Sequence, residues 1–555
     1  MVDDELNRRH RTATYEWYNV LVWLERAAPG DPLLNQAVAR ARHRYPDFQP
    51  RDHPELDVVH LEAEDWLRPE SHRTSAQIAG LSLFQWLAEL DTAGKRQRQE
   101  EGFTTDHVSG FLKETARAAS EDLNWGVTFA RDLVERSDFE HIVWPEILTA
   151  WRERAFTPTE WRELVKVLDD VRLVAAQVDG VTDVLRGLAK KQEPKATATM
   201  LRSGLGLAEK ALVQAESLPL RILSGSSGWL EQAINHPGGV VAEYLMRTIG
   251  ALAGSRPERN SGLPRVCKRL LDAIMSGSGT AAEMARVVLS THAHYFHWLD
   301  STWTATNLLP LFDWKRDPDQ AVKAWHGFLG WGRPVAALLD SLNRATEELA
   351  SHLEYLGDER EHYGGFLARA ALARPDDPLA QDWFQAFLRA ASDDDRARFS
   401  WEIDQQLEGL RPEQRAEVWT SWLRRYLEHR AHYPPHPEGK EFSALLGWVF
   451  HLPAELGQLL ERIEALPGRG GADDRLLWKI EQGELAGSDP NLLARLVLAM
   501  IKRVEKLEPW DLAPFRAVIT RLTKEGTSEA LVRDLVEKYI EHGGQNHEEL
   551  LQDGS

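Results

Sequence analysis

Apolar residues recur at a period of about 3.6 along nearly the whole chain, the spacing of one face of an α-helix. Ala416, Val418, Trp419, Trp422, Leu423, Tyr426 and Leu427 form one wide stripe, while Glu417, Arg424, Arg425 and Glu428 occupy the remainder. This predicts an amphipathic helix opened by Pro412, whose missing N–H is no loss in a first turn, with Glu413 complementing the positive end of the dipole. Just upstream, Ser392 with Asp395 three residues on reads as a capping box. Phe399, Trp401 and Ile403 supply the apolar surface there, and Gly409 is expected to make a left-handed exit. Asp377-Pro378 opens a further segment with Leu379, Trp383, Phe384, Phe387 and Leu388 at helical spacing. The same grammar governs Thr157-Pro158-Thr159-Glu160, followed by Trp161, Leu164, Val165, Val167 and Leu168. Helices are also predicted over Asn491 to Leu507, Pro514 to Thr523 and Ser528 to Ile540.

Links of a few residues force neighbouring helices antiparallel, so the expected fold is all-α: an irregular α-solenoid, an elongated or curved array of antiparallel helix pairs. No strict repeat of a named type is found. Alternating β-branched and polar runs are rare, which leaves little room for strands. Breaks are expected at Glu193-Pro194-Lys195, Gly254 to Gly262, Tyr433 to Gly439 and Pro467 to Gly471. They suggest an N-terminal subdomain over 1–195, a central array over 196–435 and a C-terminal subdomain over 436–555, with an extended proline-containing stretch from Arg42 to Pro54.

Length and charge sharpen this picture. At 555 residues the chain exceeds the roughly 250–300 at which one core stops growing. It carries 66 basic against 86 acidic residues, a net charge of −20 scattered through its length, which disfavours nucleic acid as a partner. The best basic cluster, Lys95-Arg96-Gln97-Arg98, is followed at once by Glu100 and Glu101. A single cysteine, Cys267, suits a reducing compartment and reads as buried filler. No stretch approaches the ~18 apolar residues of a membrane span, so a cytoplasmic location is expected. The 21 tryptophans mostly fall on apolar helix faces and are expected in helix–helix seams.

The most tempting chemistry is His292-Ala293-His294-Tyr295-Phe296-His297 with Asp300, since three imidazoles and a carboxylate are a transition-metal donor set. A helix turns about 100° per residue, so His292 and His294 diverge and only His294 and His297 share a face. His429, His432 and His436 form a second cluster around a helix end, where imidazoles also complement the dipole. Gly277-Ser278-Gly279-Thr280 mimics a dinucleotide-binding turn but lacks the preceding strand, and reads as an interhelical turn. Acidic pairs such as Asp169-Asp170 and the run Asp393-Asp394-Asp395 sit at predicted helix starts. The chain is therefore expected to be no enzyme and to need no cofactor; the alternatives are a metal-dependent enzyme working through one of the histidine clusters and a nucleic-acid-binding subunit.

Several segments together resemble one known family. They are His53-Pro54-Glu55-Leu56-Asp57, Trp144-Pro145-Glu146-Ile147-Leu148 with Thr157 to Trp161, Asn235-His236-Pro237-Gly238-Gly239-Val240-Val241-Ala242-Glu243, and Asn307 to Trp314 with Ala324-Trp325-Gly327-Phe328-Leu329. The family is the helical C-terminal region of large bacterial proteins whose N-terminal part is a sirtuin-like NAD hydrolase, found among antiphage defence genes. The resemblance runs through most of residues 40 to 460. It implies a region that senses the invader or holds an assembly together, as a fragment or separate subunit. No sirtuin-like segment is present, so NAD hydrolysis passes to no residue here. The expected partner is a protein, an effector subunit or a phage protein, with a homo-oligomer as a further option. Candidate contact residues are Asn235, His236, Trp314 and Trp325; the other reading of these segments is tight interhelical turns around a buried Trp–Phe plug.

Overall fold

In the computed structural model the described residues are 15–50, 68–99, 105–191, 194–220, 228–468 and 474–545, apart from the single positions 16, 27, 29, 47, 375, 486, 505, 506 and 508. The motif from His53 to Asp57 lies outside them. The chain is all-α and divides into two compact units, residues 1–180 and 181–555.

The first unit contains α1 (Pro32–Arg44), α2 (Leu83–Gln99), α3 (His107–Glu121), α4 (Leu123–Glu135), α5 (Val143–Arg152) and α6 (Pro158–Leu168). A two-residue parallel pairing of Arg68–Pro69 with Thr105–Asp106 accompanies them. The core is built on tryptophans that keep their one polar atom satisfied, as buried indoles require. Trp86 donates to the Thr115 hydroxyl at 2.9 Å and stacks among Phe111 and Phe129, while Trp151 donates to the Ala119 carbonyl at 3.1 Å. The capping box at the start of α6 is present in both directions: Thr157 Oγ1 accepts from the Glu160 amide, and Glu160 Oε2 accepts from the Thr157 amide. Arg42, His43 and Arg44, expected in an extended stretch, instead form the last turn of α1, where their charges complement the dipole.

After two helices over 178–203, the second unit runs through α7 (Leu205–Ala215), α8 (Trp229–Asn235), α9 (Pro237–Ala253), α10 (Arg265–Ser276), α11 (Thr280–Thr291) and α12 (Ala293–Leu299). It continues through α13 (Pro318–Trp331), α14 (Ala336–Leu349), α15 (Arg360–Ala373), α16 (Asp382–Ala390), α17 (Asp393–Gly409) and α18 (Arg424–His432). It closes with α19 (Gly439–Gly447), α20 (Leu456–Ala465), α21 (Asp474–Glu481), α22 (Pro490–Ile501), α23 (Pro509–Lys524) and α24 (Glu529–Glu541). The packing order explains the architecture. α7 lies on α9, α9 on α11, α11 on α13, α13 on α15, α15 on α17 and α17 on α19. A second layer joins α14 to α16, and further on α18 to α20, α20 to α22 and α22 to α24. Alternate helices stacking in two layers is the packing of a helical solenoid, in which each pair buries its face only against its neighbours.

Helices in the middle of the first layer are buried on more than one side. On α11 every residue from Met284 to Thr291 is buried. Such crowding needs small residues where backbones meet. A methyl group on Gly238 of α9 would fall 2.1 Å from the Ala281 carbonyl oxygen of α11, and one on Gly327 of α13 would fall 2.2 Å from the Val287 carbonyl oxygen on the same helix. Gly364 of α15 stands as close to α17, where a methyl would meet the Asp395 carbonyl oxygen at 2.8 Å.

Two local expectations are corrected. Gly409 makes no left-handed exit: α17 ends when Leu410 takes an extended conformation (φ −85°, ψ 149°). Pro514 does not open a helix but lies inside α23. The stripe around Trp419 is interrupted by a π-helical turn, Trp419–Leu423, which turns Trp419, Trp422 and Leu423 all into the core. Among the described residues no helix is long and apolar enough to cross a membrane.

Candidate functional site

The second unit carries a buried ionic centre that no local pattern announced. Glu441 on α19 is fully buried and receives a fork from Arg430 of α18, with Nε to Oε1 at 2.8 Å and Nη2 to Oε2 at 2.9 Å. Arg396 of α17, itself buried, donates from Nε to Oε2 at 2.9 Å. One carboxylate thus ties three helices together. Bidentate geometry of this kind offsets the cost of taking charges out of water and fixes the helices in one register.

Beside this centre an open groove of about 1230 Å³ runs across the starts and faces of α15, α17, α19 and α21. Its floor is apolar, with Ala397, Ala444 and Leu476, and its walls are charged. Three of the groove's carboxylates face a basic partner. Asp395 takes a bidentate pair from Arg360 at 2.9 and 2.7 Å and bonds to Ser392. Burial alone would raise the Asp395 carboxyl, but the Arg360 and Ser392 bonds hold it below its ordinary value. Asp394 pairs with Lys440 at 2.8 Å, and Asp404 with His451 at 3.1 Å. Lys479 lies 4.4 Å above the Phe450 ring and pairs with Glu484. Arg398 differs: its guanidinium sits 4.4 Å above the Trp401 ring, no carboxylate pairs with it, and its shielded Nε makes no hydrogen bond. A guanidinium over an indole, beside apolar side chains, has the chemistry to receive a carboxylate with a neighbouring apolar group.

The candidates read from sequence fall elsewhere. His292 joins α11 to α12, and burial pushes its imidazole down to about 4, with His294 and Arg247 adding to the effect. His294 and His297 are also lowered by burial, with Arg333 acting on the first and Arg259 on the second, while Asp340 opposes the shift at His297. Guanidinium groups around the imidazoles repel a metal cation. Among the described residues no group of three or more His, Cys, Asp or Glu side chains is gathered to hold a metal ion. In the later cluster, His432 and His436 turn their Nδ1 atoms to the Glu428 and Arg430 carbonyls, and His429 packs on Tyr433. Those rings finish a helix end.

Asn235 is exposed at the end of α8 and donates to the Glu231 carbonyl at 3.0 Å. His236 is the N-cap of α9, its Nδ1 accepting from the Gly238 amide at 3.1 Å. Trp314 stacks on His352 at 4.2 Å, and Trp325 packs edge-on against Phe312 and Phe366. Both tryptophans are buried, so as surface anchors for a partner they are withdrawn: they are the plug between helices. Cys267 is buried as well, and burial pushes its thiol up to about 11.

No family model, no curated protein and no solved structure matches this chain. Of the segments behind the expected likeness to sirtuin-like defence proteins, Asn235 to Gly239 form the α8–α9 turn and Asn307 to Trp314 a π- and 3₁₀-helical turn before α13.

Proposed function

We propose that this chain is a non-catalytic helical scaffold that recognises a protein partner in the groove of α15, α17, α19 and α21, and that it serves as the sensor or regulatory part of a bacterial antiphage system in the cytoplasm. The observation that carries the reading is Arg398: a cation that no carboxylate among the described residues pairs with, lying over Trp401, in a groove where Asp394 and Asp395 are already ion-paired. The Arg396–Glu441–Arg430 centre holds the walls in place, so little ordering is required when a partner docks. An effector subunit or a phage protein presenting a carboxylate beside an apolar side chain complements this surface. The family resemblance supplies the defence setting.

The test is affinity capture with the full chain from a bacterial host, with and without phage infection, run beside the groove variants Arg398→Glu and Trp401→Ala. A partner retained by the native chain and weakened by about tenfold or more in either variant supports the reading, since cores of such interfaces concentrate their energy in Arg and Trp. A partner retained equally by both variants, or none at all, overturns it.

A further inference from the structure

The surroundings of α12 point to a second, independent surface. A number of arginines and lysines of this acidic chain are engaged in ion pairs, as at Arg186, Arg269, Lys323, Arg360, Arg374 and Arg462. Arg247, Arg259 and Arg333 are exposed, have no carboxylate within ion-pairing distance among the described residues, and all act on the histidines at α12. They come from three elements: Arg247 from α9, Arg259 from the loop after it, and Arg333 from the turn that ends α13.

The fold fastens these elements to α12. The loop amides of Asn260 and Gly262 donate to the carbonyls of Trp298 and Leu299, each at 2.8 Å, and the Trp298 indole donates back to the Pro257 carbonyl at 3.0 Å. Tyr295 turns its hydroxyl towards Gly250, one turn beyond Arg247. The carboxylates nearby are fewer and partly occupied. Asp340 is paired with Arg374 at 3.1 Å, Asp300 caps the Trp303 amide at 2.9 Å, and Glu258 stands in the loop between Arg256 and Arg259. Two large aromatic side chains stand open to solvent here, Trp298 at 47% and Trp331 at 56% exposure. The Trp298 indole is tied to the loop through its nitrogen, and over half of Trp331 is open to solvent.

We propose that this surface binds single-stranded nucleic acid, with Arg247, Arg259 and Arg333 on phosphates and Trp298 and Trp331 as platforms for bases. Cations that track a backbone, interleaved with aromatic faces, are what sequence-tolerant single-strand binding needs. The net charge of −20 argued against nucleic acid as a partner; the local surface reverses that sign, and the acidic remainder confines the strand to it.

The experiment is fluorescence anisotropy of a short labelled single-stranded oligonucleotide with the full chain at about 50 mM salt, where phosphate contacts are strongest. The native chain is expected to bind, with affinity falling as salt rises. The double variant Arg259→Ala/Arg333→Ala and the single variant Trp331→Ala should each weaken binding by about tenfold or more. These side chains are exposed, so the variants should melt as the native chain does, and loss of binding then reports the surface. Absence of binding at low salt, equal binding by the variants, or equally tight binding of a polyglutamate peptide of the same charge would each overturn the proposal.

Discussion

Two regions of the second unit bury ionisable groups and treat them in opposite ways. Around Glu441 the charges are kept and matched, two guanidiniums to one carboxylate, all within hydrogen-bond distance. Around α12 the three imidazoles sit beside arginines, with Asp340 opposing them at His297 alone, and burial lowers their affinity for protons instead. Pairing fixes a geometry that persists across pH. Neutralisation holds only while protons stay away, so the two regions should fail under different insults.

The largest effect is expected at the paired centre. Glu441→Gln preserves shape but leaves two buried cations without a counter-charge, and should cost about 3–5 kcal/mol in chemical denaturation. The triple replacement Arg396→Met, Glu441→Leu, Arg430→Met sharpens the point: with the charges removed together, stability should return to near the native value. If the single variant is harmless, the centre is not what holds α17, α18 and α19. A smaller effect belongs to the histidines. The folded state depresses their affinity for protons, so the unfolded chain protonates first as pH falls. The stability they confer is complete above about pH 6.5 and drains as pH falls towards about 4, the folded value for His292. Melting followed from pH 7 to pH 4 should show this loss, and His292→Leu should flatten its share; an equal slope in the variant would exclude His292 as the cause. The smallest effect is at the rim of the groove, where Lys440 and Asp394 pair while both are largely exposed. Lys440→Ala should leave the melting temperature unchanged, because solvent screens such a pair.

What the sequence revealed was local, and what it concealed was distant. Thr157 with Glu160, Ser392 with Asp395, and Pro412 at a helix start are recognisable because cap and helix lie within four residues. The fold class follows from the same periodicity. Glu441 and Arg396 are 45 residues apart and meet only because α17 packs on α19. A trace of them was visible all the same: Glu441 precedes Phe442, Leu445 and Leu446 on the buried side of α19, and a carboxylate on an apolar stripe requires a partner. The α12 histidines drew notice by their concentration, and helix geometry already argued against a shared metal. The arginines beside them arrive from α9, a loop and α13, and no spacing in the chain connects them. Trp314 and Trp325 show the converse, since aromatic richness marks a core as readily as a surface.

The glycines at the joints set a length scale. Gly238, Gly327 and Gly364 let successive helices of one layer touch backbone to backbone, at the junctions α9–α11, α11–α13 and α15–α17. The rise from one helix to the next within the layer is therefore fixed at these points by the absence of a single methyl group. A stack built this way has a pitch that is tuned joint by joint: a methyl placed at Gly327 is a wedge that would splay α11 from α13 while the junctions above and below keep their spacing.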